Sequence, residues 1–202
     1  REKREAKAAK KRKENTRSKI VRFLIVCEGS RTEPNYFQAL VRDRYSEVRD
    51  EKIVGEGKST CALVKRTLQI KDELERKRQL PFDRVWVVFD KDDFTDFNEA
   101  IKLAASYSFQ SAWTNEAFEL WYFLHFRYLD AGISRHDYIE KLQSEIRKHP
   151  GYENYEYKKN DASVYKMLTT IGNEDLAKRY AERLRSFFEG DEDYKEHKPC
   201  TT

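Results

Sequence analysis

Acidic side chains follow two apolar runs of this chain, each at the point where a strand would end. The first run is Phe-Leu-Ile-Val-Cys at residues 23–27, and Glu28 comes directly after it. The second run is Val-Trp-Val-Val-Phe at residues 85–89, and it leads into Asp90 and Asp92. Because the carboxyl ends of parallel strands meet at one edge of a sheet, these three carboxylates should converge there. Like charges packed together repel, and hard oxygen ligands favour Mg²⁺ or Mn²⁺, so the pattern predicts a divalent-metal site.

Two further acids, Glu33 and Glu119, are candidates for the same site. Glu33 lies where a helix should begin, so its carboxylate could interact with the helix dipole or could act as a ligand or base at a second metal. Glu119 lies within the apolar segment 117–124. An unpaired carboxylate would be costly there, so Glu119 needs a cation, a hydrogen-bond donor or an exposed position. Asn115 is a good N-cap residue, which alone would explain its presence. The predicted catalytic set therefore contains five acids: Glu28, Glu33, Asp90, Asp92 and Glu119.

Aromatic and basic residues lie close together in one loop of the C-terminal third. They are Tyr152, Tyr155, Tyr157, Lys158 and Lys159. Aromatic rings of this kind can stack on bases while lysines hold phosphates, and they can equally anchor a loop on the core. We predict that Lys158 and Lys159 bind nucleic acid. Neither a Walker pattern nor a dinucleotide-binding glycine pattern is present, so no organic cofactor is predicted.

Basic charge is concentrated at the start of the chain. The 202 residues carry a net charge of +4, and 38% of them are charged. Residues 1–22 hold 11 Lys or Arg and 3 Glu, a balance of +8, so the remaining 180 residues sum to −4. Residues 1–18 therefore form a basic leader. This leader could attract nucleic acid through counterion release, or it could be a solvated, frayed helix.

The cysteines and the hydropathy pattern indicate the environment of the protein. Cys27, Cys61 and Cys200 are widely separated and form no CxxC pair, so neither a zinc site nor a disulfide is expected. No apolar stretch approaches the length of a membrane span, and no signal peptide is evident. We expect a cytoplasmic protein without a membrane partner.

Strand and helix patterns alternate through the first part of the chain. Short apolar and β-branched runs predict four strands, at residues 20–27, 48–54, 84–89 and 109–113. The helical patterns between them imply right-handed crossovers and a parallel sheet covered on both faces. Later segments predict only helices, at residues 116–126, 134–148, 162–171 and 173–188. We therefore predict one α/β domain at 19–190 with a helical C-terminal third, followed by a mobile acidic and polar tail at 191–202.

Several of these segments resemble the RloB family, which has a Toprim-like domain. The matching segments are residues 25–37, 85–93, 118–121, 124–126 and 157–159. The resemblance implies a four-stranded parallel, Rossmann-like sheet in the order 2-1-3-4, flanked by helices. It also implies a glutamate after the first strand and an Asp-x-Asp after the third, which map onto Glu28, Asp90 and Asp92. One departure is Asn115-Glu116-Ala117, where the family tends to have Asn-Pro-Cys.

The same resemblance implies a function. Toprim domains occur in topoisomerases, primases and nucleases, where Mg²⁺ assists phosphodiester chemistry. The RloB group is associated with restriction loci and abortive-infection phage defence, often beside an ATPase partner. We therefore expect a Mg²⁺-dependent or Mn²⁺-dependent nuclease that acts on RNA or DNA. The alternative is a non-catalytic module of a defence complex that binds nucleic acid or the ATPase partner. The number of metals and the oligomeric state stay open.

Overall fold

One mixed sheet forms the centre of the protein. The computed structural model describes residues 21–45, 49–58 and 60–202, and the predicted basic leader lies outside these residues. In the described part of the chain, the sheet has five strands: β1 (Val21–Cys27), β2 (Arg49–Gly55), β3 (Arg84–Asp90), β4 (Gln110–Asn115) and β5 (Cys200–Thr201).

The order of the strands is β2-β1-β3-β4-β5. The first four strands pair in parallel, and Ile25 lies opposite Ile53 on one side and Trp86 on the other. Their order therefore agrees with the order 2-1-3-4 that the resemblance implies. Strand β5 pairs with β4 in the antiparallel direction, with Thr201 opposite Thr114. The prediction of a four-stranded, fully parallel sheet is wrong, since the sheet has five strands and is mostly parallel.

The fifth strand comes from the segment that was predicted to be a mobile tail, residues 191–202. Cys200 is only 1% exposed and belongs to the main hydrophobic core. The ring of His197 stacks on Phe188, with 4.4 Å between the ring centroids. The end of the described chain is therefore an integral part of the fold. A strand of two residues has no periodicity that a sequence pattern could reveal, and the acidic residues before it hide its role.

Helices lie between the strands and make up the C-terminal third. They are α1 (Thr32–Arg44), α2 (Thr60–Arg78), α3 (Phe97–Ser106), α4 (Glu119–Leu124), α5 (Arg135–Ile146), α6 (Val164–Ile171) and α7 (Glu174–Ser186). Helix α4 is shorter than the predicted helix at 116–126 and begins after Phe118. Asn115 is not its N-cap, because the Asn115 side-chain amide donates instead to the Lys195 carbonyl at 2.8 Å. In the described residues, no helix is long and apolar enough to cross a membrane.

The two faces of the sheet pack against different helices. Leu24 and Val26 point into the larger core, which includes residues of α2 and α3. Ile25 and Cys27 point to the opposite face, where Phe37 of α1 packs against them. This alternation follows from the period of two along a strand. The helices flank the sheet on both faces, as predicted.

An aromatic cluster joins α1 to the helical third. The ring of Tyr36 lies within about 5.6 Å of Phe118, Tyr122 and Tyr165, measured between ring centroids. The indole N–H of Trp121 donates to the Tyr36 hydroxyl at 2.9 Å. Aromatic pairs at these distances favour edge-to-face packing and stabilise the contact beyond simple burial. The cluster therefore holds the beginning of α4 beside α1, close to the ends of β1 and β3.

Replacing His197 tests the role of the last residues in the fold. His197 is 3% exposed and lies against Phe188 and Trp113. We expect His197→Ala to leave a cavity and to lower the free energy of unfolding by about 2 kcal/mol, or the melting temperature by roughly 5 °C. Thermal unfolding measures the change. Lys195→Ala, an exposed change two residues earlier, should have little effect, and equal stability of all three proteins would contradict the packing of this segment.

Candidate functional site

A cavity of about 840 Å³ opens beyond the carboxyl ends of β1 and β3. Its lining includes all five predicted acids, Glu28, Glu33, Asp90, Asp92 and Glu119. These acids come from four places in the fold: the end of β1, the first turn of α1, the end of β3 with the turn after it, and the start of α4. The structure thus brings together residues that lie far apart in the chain. Their catalytic and metal-binding roles stay predictions.

Backbone hydrogen bonds fix the two strand ends relative to each other. The Glu28 N–H donates to the Val88 carbonyl at 2.8 Å, which extends the pairing of β1 with β3. The Glu28 carboxylate accepts from the Asp90 N–H at 3.2 Å through Oε2. Oδ2 of Asp90 in turn accepts from the Phe118 N–H at 3.1 Å. The first and third strands and the loop before α4 are therefore connected through these two acids.

Two glycines allow the loop after β1 to lie close to its neighbours. A Cβ atom at Gly29 would collide with the Glu33 carboxylate, which packs directly against that residue. A Cβ atom at Gly55 would lie 2.5 Å from the Gly29 carbonyl oxygen, closer than real contacts allow. Glycine is therefore needed at position 55, where backbone atoms approach, whereas at position 29 it lets the flexible Glu33 side chain keep its present position. The result is that Glu33, on the first turn of α1, lies over the floor of the cavity.

The Glu33 carboxylate is buried without full hydrogen bonding. Glu33 is 6% exposed, and its Oε2 has no hydrogen-bond partner among the described residues. A buried, unpaired carboxylate oxygen is costly, typically by more than 1 kcal/mol. An interaction with the helix dipole alone does not explain burial of this kind, because exposed residues at a helix N-terminus gain it as well. This oxygen is the clearest indication that the cavity accommodates a cation or a donor.

Arg135 lies in the middle of the acids, and sequence reasoning missed it. Its Nη2 is 3.0 Å from Asp90 Oδ2 and 2.9 Å from Asp92 Oδ1. Its Nε is 3.9 Å from Glu119 Oε2. Arg135 is the first residue of α5, which a capping box between Ser134 and Asp137 initiates. The capping pattern could have located the start of the helix, but no local signal tells which strand end its first side chain reaches.

Burial and mutual repulsion alter the ionisation of the acids. Burial raises the pKa of Glu28 to about 7, and the charges of Asp92 and Glu33 act in the same direction. Burial also raises the pKa values of Glu33 and Asp90. Burial lowers the pKa of Arg135, but the neighbouring carboxylates raise it more, so the guanidinium stays charged. One guanidinium therefore does not balance the site, and an additional positive charge would stabilise the ionised acids.

The acids fit a hard divalent ion in chemistry but not in their present arrangement. Among the residues that the structure describes, no three His, Cys, Asp or Glu side chains are grouped as metal ligands. Two of the three predicted ligands, Asp90 and Asp92, instead contact the guanidinium of Arg135. The carboxylate oxygens, which include the unpaired Oε2 of Glu33, are the kind of ligand that Mg²⁺ or Mn²⁺ prefers. An ion that bridged Asp90 Oδ2 and Asp92 Oδ1 would require Arg135 to move.

Exposed basic side chains surround the mouth of the cavity. Arg31, Lys58 and Lys159 line it, whereas Lys158 is exposed and is not part of the lining. The loop that carries Lys159 rests on the start of α1, because the Asn35 side chain donates to the Asn160 carbonyl at 3.2 Å. The site therefore has an acidic floor and a basic rim.

The tyrosines of the same loop hold it in place. Tyr152, Tyr155 and Tyr157 pack against the core of the helical third, which confirms the anchoring alternative for their rings. The Tyr157 hydroxyl also donates to Glu119 Oε1 at 2.9 Å. Glu119, buried among apolar residues, thus has both a donor and a nearby cation, as its sequence context requires.

Fold and site together define an α/β domain with an acidic cavity at the carboxyl edge of a mostly parallel sheet. The family model described as RloB-like protein matches residues 23–202, which is nearly the whole chain. The chain therefore belongs to the RloB-like family. No curated protein and no solved structure matches the chain.

The raised pKa of Glu28 predicts how stability depends on pH when metal is absent. The folded protein, with a pKa of about 7 against 4.5 for an ordinary Glu, retains a proton that the unfolded chain releases. This favourable contribution is complete below pH 4.5 and is lost as pH rises through 7. The melting temperature in EDTA should therefore fall across this range, and it should fall less steeply in Glu28→Gln.

The control for this titration is Asp93→Asn, since Asp93 is exposed and does not line the cavity. Asp93→Asn should keep the pH dependence of the wild-type protein. Identical slopes in wild type and Glu28→Gln would show that Glu28 is not the buried, proton-retaining acid that its surroundings indicate.

Proposed function

We propose that this protein is a metal-dependent nuclease that cleaves phosphodiester bonds of RNA or DNA, with phage defence as its setting. The observation that carries the proposal is the cavity with five converging acids on its floor and basic side chains at its mouth. Such a site suits a polyanion whose phosphate must be neutralised and whose cleavage needs a divalent ion. Membership of the RloB-like family supports the proposal. The resemblance implies a Toprim-like domain whose three acids correspond to Glu28, Asp90 and Asp92.

In this proposal the acids have different roles. Glu28, Asp90 and Asp92 would hold Mg²⁺ or Mn²⁺, and a bound divalent ion supplies Lewis acidity to the scissile phosphate. Glu33, with its unpaired buried oxygen, is placed to accept a proton or to orient water. Glu119, oriented by the Tyr157 hydroxyl, would position water or extend the acid set.

The basic rim would bind the nucleic acid backbone. Lys159, Lys58 and Arg31 can each neutralise a phosphate next to the scissile one and hold the strand across the mouth of the cavity. These side chains are exposed, so their contribution should depend strongly on salt. The bases themselves would face outward, and the proposal therefore covers both RNA and DNA.

A second candidate function is a non-catalytic module of a defence complex that binds nucleic acid or an ATPase partner. One specific observation favours it: Arg135 already neutralises part of the charge of Asp90 and Asp92. A site that is partly neutralised in this way has less need of a metal. The two candidates differ in whether divalent ions bind and whether cleavage follows.

A cleavage assay separates the two functions. We expect the wild-type protein to cleave mixed RNA and DNA substrates with Mg²⁺ or Mn²⁺ but not with EDTA. Glu28→Gln and Asp90→Asn each remove an acid from the floor and should lower the rate by about 100-fold or more, the scale that loss of a central electrostatic group gives. Gel analysis of the products measures this rate.

The matched control is Asp93→Asn, which changes the exposed acid beside the Asp-x-Asp pair and should leave the rate unchanged. Equal cleavage by wild type and both floor variants would reject the proposed site. Lack of cleavage together with lack of metal binding, even in the presence of the ATPase partner, would favour the binding module.

Lys159 should contribute more to nucleic acid binding than its neighbour Lys158. Lys159 lines the mouth of the cavity, whereas Lys158 is exposed and is not part of the lining. Lys159→Gln should weaken binding of a single-stranded oligonucleotide and reduce the slope of log affinity against log salt by about 1. Fluorescence anisotropy at several salt concentrations gives both values. A larger loss for Lys158→Gln than for Lys159→Gln would contradict the predicted path of the strand.

A further inference from the structure

We propose that Arg135 determines the cation selectivity of the acidic site, because its guanidinium occupies the position between Asp90 and Asp92 that a bridging divalent ion would take. Arg135 would thus be a positioning and selectivity residue whose removal makes divalent ions bind more tightly. The inference rests on the proposed function, since it requires the same carboxylates to take up a divalent ion.

The geometry places the guanidinium in direct competition with an ion. One atom, Nη2, lies about equally far from Asp90 Oδ2 and Asp92 Oδ1, at 3.0 and 2.9 Å. A metal ion that bridged these same two oxygens at about 2.1 Å would lie in the space that Nη2 occupies. At this bridging position the two cations exclude each other sterically and by charge repulsion, so binding of one requires displacement of the other.

Charge explains why this competition selects for divalent ions. Arg135 supplies a single positive charge to a cavity that contains Glu28, Glu33 and Glu119 as well as its two direct partners. A monovalent ion would bring no more charge than the guanidinium and would lose the oriented hydrogen bonds. A divalent ion brings one positive charge more than the guanidinium. It can therefore also be stabilised by the charges of Glu28, Glu33 and Glu119, which the single charge of Arg135 does not balance.

The side chain of Arg135 is held on one side only. It is 29% exposed, and its buried Nε makes no hydrogen bond to any described residue. Arg135 is the first residue of α5, so a rotation of its side chain need not disturb the helix. A displaced guanidinium would stay at the cavity that it lines, close to the basic rim, where it could contact a phosphate of the substrate.

Calorimetric titration of the full chain with MnCl₂ and MgCl₂ tests the inference. We expect Arg135→Gln to bind both ions about tenfold more tightly than the wild-type protein, because no internal cation competes. Arg127→Gln is the matched control, since Arg127 pairs with Glu145 at 3.7 Å away from the acids and its side chain is 70% exposed. This control should bind as the wild type does. NaCl or KCl at the same concentrations should not compete in the wild-type protein.

The outcomes distinguish failure of the inference from failure of the proposed function. If the wild-type protein binds both ions clearly and Arg135→Gln binds them equally or more weakly, the proposed role of Arg135 is overturned. The proposal of a metal-dependent nuclease is not affected by that result. Absence of binding in wild type and variant alike would overturn both.

A second measurement keeps the test decisive if Arg135→Gln does not fold. The side-chain Nε–H signal of Arg135 in NMR spectra of the wild-type protein, assigned through Arg135→Lys, should shift on saturation with Mg²⁺ and stay unchanged on addition of K⁺. The Arg127 signal should stay in place. An Arg135 signal that does not respond to Mg²⁺ at concentrations that saturate the site would overturn the inference.

Discussion

The crowding of five carboxyl groups at one edge of the sheet is the constraint on which the candidate site of this protein depends. Glu28, Glu33 and Asp90 lose hydration on burial, which raises their pKa values, and they share a cavity with two more carboxylates. Arg135 relieves the repulsion only in part. A fold that keeps so many acids together carries a cost in stability, and acids grouped in this way are more common at functional sites than elsewhere.

The topology explains how the chain can assemble such a site. Two neighbouring parallel strands end side by side, and the Asp90 backbone N–H connects their ends by donating to the Glu28 carboxylate at 3.2 Å. The aromatic cluster around Tyr36 then brings α1 and α4 together, and with them Glu33 and Glu119. The same aromatic contacts therefore stabilise the apolar core and position the acids of the cavity. A loss of packing around Tyr36 would alter the distances between the acids as well as the stability.

The predictable part of this protein is the part that local patterns encode. Strands β1 and β3 are continuous apolar runs, and the acids that follow them could be placed at one sheet edge by the rule for parallel strands. Arg135 could not be placed there, because its position depends on how the helical third packs and not on any short motif. Strand β5 was missed for a related reason: pairing with β4 defines it, and its two residues carry no periodicity.

The most direct test of a cation-binding acidic site is a crystal structure of the full chain soaked in MnCl₂, with anomalous scattering to locate the ion. We expect an anomalous peak between Glu28, Asp90 and Asp92, with the guanidinium of Arg135 moved away from both aspartates. A structure at saturating Mn²⁺ without a peak in the cavity, in which Arg135 still bridges Asp90 and Asp92, would contradict the central claim.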